Sequence, residues 1–548
     1  MSEASPQMRW WGWGEPAEPV AVSPAGERLI LERLGMSGWA ERKPVGLEEV
    51  ALPDPALPES VLQAMRVVVD DDNVRADRDA RVRHAAGRSY ADIVRLRAGA
   101  VASAPDAVVS PGSDDEIARI LSICEEEGVA VVPFGGGTSV VGGVEPERDG
   151  FPAAITLDLA RLDSLDVDRR SLLAAAGAGL RARAAEARLQ ARGLTLGHFP
   201  QSFEYASIGG YVATRSAGQA STGYGRIDEL VVGLRMVAPA GRVEANPVPA
   251  SAAGPSIREL LVGSEGTLGV ITEVTLVVRP LPATRIYEGW SFRSFRDGVE
   301  AFRELEQADS SPDVARLSDE EETELGLALS DRGSVADRAA RAYLRARGHG
   351  RGCLVIAGFE GDHDEVAARE ARCRRILERH GGLRLGRRPG QAWLRTRYHA
   401  PYLRDVLLDR GVLAETLETA TTWSRLEDVH AAVGDALRTA LAEPDSRPIV
   451  ACHISHLYRS GASLYFTCMA RARDGGEVAQ WEAAKEAASR AIVEHGATIT
   501  HHHAVGRDHA PWLRQEIGDL GVAALRAAKE RFDPGGIMNP GKLLPPEG

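Results

Sequence analysis

The clearest pattern of hydrophobic and polar positions lies between residues 105 and 144. Two short apolar runs, DAVV and VAVVPF, predict strands, and the segment between them begins with Asp and Ser residues typical of a helix N-terminus. The apolar positions of this predicted helix are Ile117, Ile120, Leu121 and Cys124. The second strand runs directly into three glycines at 135–137. We therefore expect a strand, a helix and a second strand that ends at a glycine-rich turn.

A further α/β stretch continues to residue 282. Segment 234–245 predicts a hairpin around Ala240–Gly241, and the strand after the next glycine turn has apolar residues in alternation. These alternating residues are Ile271, Val274, Leu276 and Val278. Two prolines, Pro280 and Pro282, then predict a domain boundary.

The pattern changes after this boundary. Strand-like runs such as CLVIAGFEG and SLYFTCMA are separated by long helices rich in Arg, Glu and Ala, which predicts an antiparallel sheet with helices on one face. We divide the α+β chain into an N-terminal helical region (1–100), a first α/β domain (101–282), a second domain (283–500) and a C-terminal segment (501–548).

The N-terminal region opens with a tryptophan cluster, Trp10, Trp11 and Trp13. Such a cluster is typical of an anchor that packs against another domain, and contact with a membrane surface is the alternative. The segment 77–99, DRDARVRHAAGRSYADIVRLRAG, is basic and irregular, and we interpret it as the approach to the first domain.

Composition limits the classes of function. The 548 residues are too many for one core, and 65 Lys and Arg against 78 Asp and Glu give a net charge of −13, which argues against a general nucleic-acid binder. Five scattered cysteines form no C-x-x-C pair, so no disulfide framework or zinc site is predicted and a reducing cytoplasm is expected. Without a run of eighteen apolar residues, we expect a soluble chain.

The glycine turn after the first domain's second strand has two interpretations. Glycines leave backbone N–H groups open to a diphosphate, and Thr138 and Ser139 add hydroxyls at the same place. However, the spacing fits neither the Rossmann fingerprint nor the P-loop, and a glycine-rich turn is often a turn without a ligand. From these residues alone, both possibilities stay open.

Three glycine stretches together, PFGGGTSV, IGGYVATRSAG and GSEGTLGVITE, resemble the FAD-binding domain of the vanillyl-alcohol oxidase and p-cresol methylhydroxylase type. Further motifs, SHLYRSGASLYFT, ARLSDEE, the His501 to His503 run, FDPGGIMNPGKLL and MRWWGWGEP, resemble the alkyldihydroxyacetone-phosphate synthase family. The resemblance implies a two-subdomain FAD-binding domain and an antiparallel-sheet cap domain with helices, and it implies that the C-terminal segment returns its His run to the FAD site.

The resemblance also implies which residues contact FAD. They are Pro133, Phe134, Gly135, Gly136, Gly137, Thr138, Ser139, Gln201, Ser202, Phe203, Glu204, Tyr205, Ala206, Ser207, Thr214, Arg215, Ser216, Ala217, Glu265, Gly266, Thr267, Leu268, Gly269, Val270 and Ile271. Gln201 departs from the family pattern, where we expect Asp. No His or Cys lies within PFGGGTSVVGG, so we expect noncovalent FAD.

The family exchanges the acyl group of acyl-dihydroxyacetone phosphate for a fatty alcohol, without net redox change, through a bond between flavin N5 and the substrate. Tyr465 matches the proton-transferring tyrosine of the family. A tyrosine with its ordinary pKa near about 10 needs cations or a flavin beside it to act as a base at neutral pH. On its residues alone, the position of Tyr465 favours an ordinary strand aromatic, and only the resemblance reverses this.

His501, His502 and His503 are implied near the substrate. If they form a strand, alternate side chains point to opposite faces, so at most two share one site. A metal site and a solvated His run are the alternatives, and we predict no metal because no carboxylate or cysteine stands at zinc spacing.

Two arginines complete the implied site. Arg404 matches a substrate-binding arginine and Arg316 a second arginine near the reacting groups, since a guanidinium binds phosphate or carboxylate with two hydrogen bonds. Without the resemblance, either would be assigned to the surface. His453 and His456 are expected to line the same cavity or to be structural.

Two other functions share these features. An FAD-dependent 2-hydroxyacid dehydrogenase or oxidase of the D-lactate or glycolate type would have the same FAD domain, and a non-catalytic flavin or lipid-surface protein would lack the reacting groups near the flavin. The family implies lipid-like substrates and a homodimer, and it leaves a peripheral membrane contact open. The chain lengths of the acyl group and of the alcohol are not readable from these residues.

Overall fold

The computed structural model describes residues 8–15 and 20–546. The N-terminal region consists mainly of helices joined by extended segments. Its helices and strand are α1 (Pro24–Arg33), α2 (Glu59–Val69), β1 (Val74–Arg75), α3 (Arg78–Arg83) and α4 (Tyr90–Arg97). Strand β1 and helix α2 belong structurally to the next domain, because their apolar residues join its core.

The FAD-type domain contains two main sheets and a two-stranded sheet. Its elements are β2 (Ala107–Val109), α5 (Asp114–Glu127), β3 (Val129–Phe134), β4 (Ala153–Asp158), β5 (Leu165–Asp168), β6 (Leu173–Gly177), α6 (Ala182–Gln190), β7 (Leu194–Thr195), α7 (Ile208–Ala213), α8 (Ser221–Tyr224), α9 (Ile227–Leu230), β8 (Val231–Ala238), β9 (Gly241–Ala245), α10 (Ile257–Leu261), β10 (Val270–Val277) and β11 (Arg279–Pro280). The first sheet has the order β1-β2-β4-β3, with β2, β4 and β3 parallel. The second is antiparallel, with the order β5-β6-β10-β8-β9. The two-stranded sheet is formed by β7 and β11.

The predicted elements of this domain are confirmed. Helix α5 buries the four predicted apolar residues, and Ser113 caps it by accepting the N–H of Glu116. Such a cap satisfies one of the free N–H groups at a helix N-terminus. The hairpin β8–β9 turns at 239–240, where Ala238 pairs with Gly241.

The cap domain is built on one large antiparallel sheet. Its elements are β12 (Thr284–Phe292), α11 (Phe295–Gln307), β13 (Val314–Ser318), α12 (Glu320–Ser330), α13 (Val335–Ala346), β14 (Cys353–Gly361), α14 (His363–Arg379), β15 (Leu383–Gly386), α15 (Arg387–Thr396), α16 (Ala400–Asp409), β16 (Val412–Thr422), α17 (Leu426–Leu441), β17 (Ile449–Ile454), β18 (Leu457–Tyr458), β19 (Gly461–Arg471) and α18 (Glu477–Glu494). The strand order is β15-β12-β14-β13-β17-β19-β16, and β18 pairs with β19.

Helices cover both faces of this sheet, so the prediction of helices on one face was wrong. On one face, α11, α14, α17 and α18 pack their apolar residues on the sheet and form the largest core cluster. On the other face, α12, α16 and α1 pack against β16, β17 and β19, and α15 packs against β12 and β14. The sequence did not predict the helices on this second face, because α12 and α15 bury few of their own residues.

The C-terminal segment returns to the FAD-type domain. Helix α19 (Leu513–Phe532), which is kinked at Gly518, leads to Met538, whose backbone bridges Val131 of β3. The tryptophan cluster packs as predicted: Trp10 and Trp13 are buried, and Trp13 meets the ring of Tyr205 edge-on at 5.5 Å. Among the described residues, no helix combines the length and apolarity that crossing a membrane requires.

Candidate active site

A cavity of about 1650 Å³ lies between the glycine loops of the FAD-type domain and the cap sheet. All seven predicted residues from Pro133 to Ser139 line it. The loop that follows β3 packs directly on residues 205–207: a Cβ on Gly136 would lie 2.3 Å from the carbonyl oxygen of Tyr205, and one on Gly135 would lie 2.1 Å from Ser207 Oγ. Only glycine allows this approach.

The loop fits a diphosphate. Within the described chain, no acceptor receives a hydrogen bond from the backbone N–H groups of residues 136–139. Backbone N–H groups that lack an acceptor at the end of a buried strand are a ready binding site for phosphate oxygens. The sequence was compatible both with a turn that has no ligand and with a loop that binds a diphosphate. The N–H groups without an acceptor favour the binding loop.

The other predicted FAD residues divide into two sets. Those that line the cavity are Gln201, Ser202, Ala206, Ser207, Thr214, Ser216, Ala217, Glu265, Gly266, Gly269 and Ile271. Gln201, the departure from the family pattern, has a buried Nε2 without a hydrogen-bond partner in the described structure.

Seven predicted FAD residues are not among those that line the cavity, and their contact with FAD stays a prediction. They are Phe203, Glu204, Tyr205, Arg215, Thr267, Leu268 and Val270. Phe203 stacks on Tyr398, and Arg215 points away to pair with Asp228. Leu268 and Val270 are buried in hydrophobic clusters.

Glu265 joins the FAD loops to the C-terminal segment. Its carboxylate accepts the backbone N–H groups of Val505 at 2.9 Å and Gly506 at 2.7 Å. Burial raises the pKa of Glu265 to about 7, although these two hydrogen bonds favour the charged form.

Tyr465 lies at the cap side of the cavity. It stands on β19 opposite Glu418 of β16, and its hydroxyl donates to Thr416 Oγ1 at 3.0 Å. Its ring stacks on His453, with a centroid distance of 4.9 Å. Burial raises the pKa of Tyr465 to about 12, so in the protein without ligands the phenol is neutral at pH 7.

The His run is not a strand, so the alternation between two faces that a strand would impose does not apply to it. Residues 501–503 form consecutive bends, and neighbouring rings lie 5.1 and 4.8 Å apart. The cause is Glu418: its carboxylate accepts the backbone N–H groups of all three histidines, at 2.6, 3.1 and 2.9 Å. His502 and His503 line the cavity.

These histidines are neutral near pH 7. Burial lowers the pKa of each, to about 3 for His503, while the charge of Glu418 partly opposes the shift. Burial also disfavours the charge of Glu418, but the neighbouring histidines and the Thr500 hydroxyl hold its pKa well below the usual range. Neutral imidazoles can accept protons from substrates.

His456, His501 and His502 present ring nitrogens within 4.8 Å of one another, a spacing that a metal ion could bridge. Their nitrogens already have partners: His456 Nδ1 contacts Ser221 Oγ, His501 Nε2 contacts the Tyr458 hydroxyl, and Nδ1 of His501 and His502 lie 2.9 Å apart. The absence of a metal therefore stays a prediction.

Arg316 and Arg404 both line the cavity, from different directions. Arg316 donates to Glu322 at 2.9 Å and contacts the ring of His453. Arg404, on α16, donates to the carbonyl oxygen of Arg88 at 2.6 Å, while its Nε and one terminal nitrogen are buried without hydrogen-bond partners among the described residues.

Sequence reasoning missed several residues of this site. Thr416 and Glu418 belong to the strand ETLETATT, where acidic residues in a buried strand signal a local polar network. Arg88 lies in the basic segment that had been interpreted as a connection, although Ser89 and Asp92 form a capping box there that marks the start of α4.

Two family models match the chain. The FAD binding domain model matches residues 105–245, and the model of the C-terminal domain of FAD linked oxidases matches residues 281–543. A solved structure of p-cresol methylhydroxylase with substrate bound superposes with a TM-score of 0.64 over 88% of this chain and 96% of the other, at 15% identity. This likeness confirms the predicted fold class.

Full-length relatives are more specific. An alkyldihydroxyacetonephosphate synthase of Trypanosoma brucei brucei is 31% identical over 100% of this chain and 94% of its own length. A solved structure of an alkyldihydroxyacetonephosphate synthase superposes with a TM-score of 0.86 over 98% of this chain and 99% of that chain, at 28% identity. The protein is therefore an FAD-dependent enzyme that belongs to the alkyldihydroxyacetonephosphate synthase family.

Proposed function

We propose that this enzyme exchanges the acyl group of acyl-dihydroxyacetone phosphate for a fatty alcohol, giving an alkyl ether. The observation that carries the proposal is the single cavity that is lined by the diphosphate-binding loop, Tyr465, His502 and His503. The lining surface of the cavity as a whole is mostly apolar, and the cavity continues between α12, α13 and α15, where Leu325, Leu344 and Trp393 line it beside charged residues. An apolar cavity with a few polar groups at one end suits a lipid-like substrate.

Each group has a task in this proposal. FAD, when bound, supplies the electron-poor ring that activates C1 of the substrate. Tyr465, held by Thr416, and the neutral His502, whose ring stacks near it, are assigned to transfer of the C1 proton. Arg404 is assigned to the substrate phosphate, and the ion pair of Arg316 with Glu322 holds the ring of His453 against Tyr465.

The test is exchange of labelled fatty alcohol into acyl-dihydroxyacetone phosphate by the purified holoenzyme, without bleaching of the flavin. Tyr465→Phe keeps the ring and its packing but removes the acid–base group, so turnover should fall about a hundredfold or more while FAD stays bound. The matched control is Tyr90→Phe, at a buried tyrosine that does not line the cavity, which should keep full activity.

Two outcomes would redirect the assignment. Rapid anaerobic bleaching by D-lactate or glycolate, together with a fully active Tyr465→Phe enzyme, would favour the 2-hydroxyacid dehydrogenase. Unchanged exchange by the variant without bleaching would keep the synthase but remove Tyr465 from the proton transfer, leaving His501 to His503.

The proposal includes noncovalent FAD, a homodimer and a peripheral membrane contact. Leu327 and Tyr343 support the membrane contact, because both are exposed and line the apolar part of the cavity. The homodimer rests on the family resemblance alone, and the five unpaired cysteines support a reducing compartment. Acid denaturation should release all flavin, sedimentation should give a dimer, and flotation with lipid vesicles should detect membrane contact.

A further inference from the structure

Arg88 is a buried cation that the proposed mechanism does not use. It is 4% exposed and lies at the N-terminal side of α4, where its side chain lines the cavity. Its backbone N–H donates to the carbonyl oxygen of Ser139 at 2.6 Å, so it stands against the end of the FAD loop. A Cβ on the preceding Gly87 would lie 2.4 Å from that same oxygen, which shows how closely the two segments approach.

The guanidinium of Arg88 has only carbonyl oxygens as partners. It donates to the carbonyl of Gly87 at 2.7 Å and, over 3.3 Å, to that of Arg9, while its Nε is buried with no partner in the described structure. No described carboxylate lies within ion-pairing distance of Arg88. Burial lowers the pKa of Arg88 to about 10, and the more distant charges of Asp405 and Asp92 oppose this shift. A buried cation without a direct ion-pair partner is costly, so such a group is typically held for an anionic ligand.

Arg404 is its neighbour and also lacks hydrogen-bond partners for part of its guanidinium group. Arg404 donates to the backbone oxygen of Arg88, and two of its guanidinium nitrogens are buried without hydrogen-bond partners among the described residues. Its nearest carboxylates, Asp405 and Glu415, are 3.7 and 3.8 Å away. Burial raises the pKa of both carboxyls, and the charge of Arg404 opposes this shift.

We propose that Arg88 and Arg404 together bind the phosphate of the substrate, with Arg88 a second binding residue for that group. The inference rests on the proposed function. The substrate phosphate is favoured over the FAD diphosphate because Arg404 and Glu415 belong to the cap, and Glu415 precedes Thr416, the partner of Tyr465. Two guanidinium groups supply paired charge-assisted hydrogen bonds to a dianion.

The experiment compares Arg88→Gln and Arg88→Lys holoenzymes with wild type in FAD content, KM, kcat and binding of inorganic phosphate. Phosphate binding is followed by the change in flavin absorbance. This measurement does not depend on turnover, so it still tests the role of Arg88 if the enzyme does not catalyse the proposed exchange. Arg95→Gln, on the helix α4 that follows Arg88 and outside the cavity, is the matched control.

We expect Arg88→Gln to keep its FAD content. Its KM for acyl-dihydroxyacetone phosphate should rise tenfold or more with a smaller change in kcat, and its affinity for phosphate should fall by the same factor as KM rises. Arg88→Lys, which keeps the charge, should have a KM and a phosphate affinity between those of Arg88→Gln and wild type. Loss of FAD from soluble, folded Arg88→Lys would assign Arg88 to the cofactor instead. Unchanged KM and phosphate binding in Arg88→Gln would overturn the proposal.

Discussion

At the scale of single residues, the FAD loop depends on the contact of Gly136 with the neighbouring loop. The sequence suggested that a side chain here would block the diphosphate, but the structure places its Cβ against protein backbone, 2.3 Å from the Tyr205 oxygen and 2.7 Å from Ala206 Cα. The backbone cannot move aside as a flexible side chain can. The glycine is therefore required for packing of the two loops.

Gly136→Ala should consequently separate these loops and reduce FAD content at least tenfold. The measurement is the ratio of flavin to protein absorbance after purification. Gly38→Ala is the control, since a Cβ there meets no atom within 4 Å. A Gly136→Ala protein with near-stoichiometric FAD would contradict the role of this contact.

Glu418 is the residue that shapes the His run. One carboxylate oxygen accepts from the Thr500 hydroxyl and from two backbone N–H groups, and the other accepts from His501 N–H. Glu418→Gln places an NH₂ group against one set of donors, which leaves buried N–H groups unsatisfied at a cost of about 1–3 kcal/mol for each.

We expect Glu418→Gln to lower exchange activity tenfold or more and to lower the melting temperature, while FAD remains bound. Exchange assays and thermal scans on the holoenzyme measure both effects. The control is Glu494→Gln, at an exposed site on the end of α18. Full activity in Glu418→Gln would show that the three histidines need no carboxylate to hold them.

At the scale of elements, the sequence predicted what depends on local pattern. Hydrophobic periodicity and turn chemistry alone predict the four apolar residues of α5 and the strand that ends just before Gly135. The bends of the His run did not follow, because they depend on Glu418, which is more than eighty residues earlier in the chain. Arg88 was missed for the same reason: its neighbours in space, Ser139 and Arg404, are distant in sequence.

The C-terminal segment is an element that holds the FAD loops together. Asn539 Nδ2 donates to the carbonyl oxygens of Glu265 at 2.7 Å and Gly143 at 3.1 Å, and its backbone N–H donates to Val131 of β3. It also has a positive φ of 40°, which asparagine tolerates better than alanine.

Asn539→Ala should therefore speed FAD dissociation several-fold and lower the melting temperature by a few degrees. Flavin fluorescence, which rises as FAD leaves the protein, gives the rate. Asn246→Ala, at an exposed asparagine, should behave as wild type. An unaltered FAD off-rate in Asn539→Ala would mean that the backbone bridge to β3 is sufficient.

At the scale of the whole molecule, stability should depend on pH through buried neutral histidines. Burial lowers the pKa of His198 to about 3, of His503 to about 3 and of His509 to about 4. An unfolded chain binds these protons near pH 6.5, so their stabilisation is complete above that pH and is lost as the pH falls. Glu265 changes the stability of the folded protein in the opposite direction, because its raised pKa makes the folded state more stable as the pH falls.

His198 offers the cleanest test, because it does not line the cavity. Its Nε2 contacts Ser216 Oγ at 2.9 Å, a contact that the amide of glutamine can replace. Between pH 7 and pH 5, its neutral form in the folded protein should cost about 2 kcal/mol of stability relative to an unfolded chain that takes up the proton. His198→Gln removes this group, so the melting temperature of the variant should fall less than that of wild type over the same range.

His363→Gln, at an exposed histidine on α14, should leave the wild-type slope of melting temperature against pH unchanged. Identical slopes for His198→Gln and wild type would show that His198 is already protonated in the folded enzyme at pH 5, with its charge balanced by a group that moves toward it.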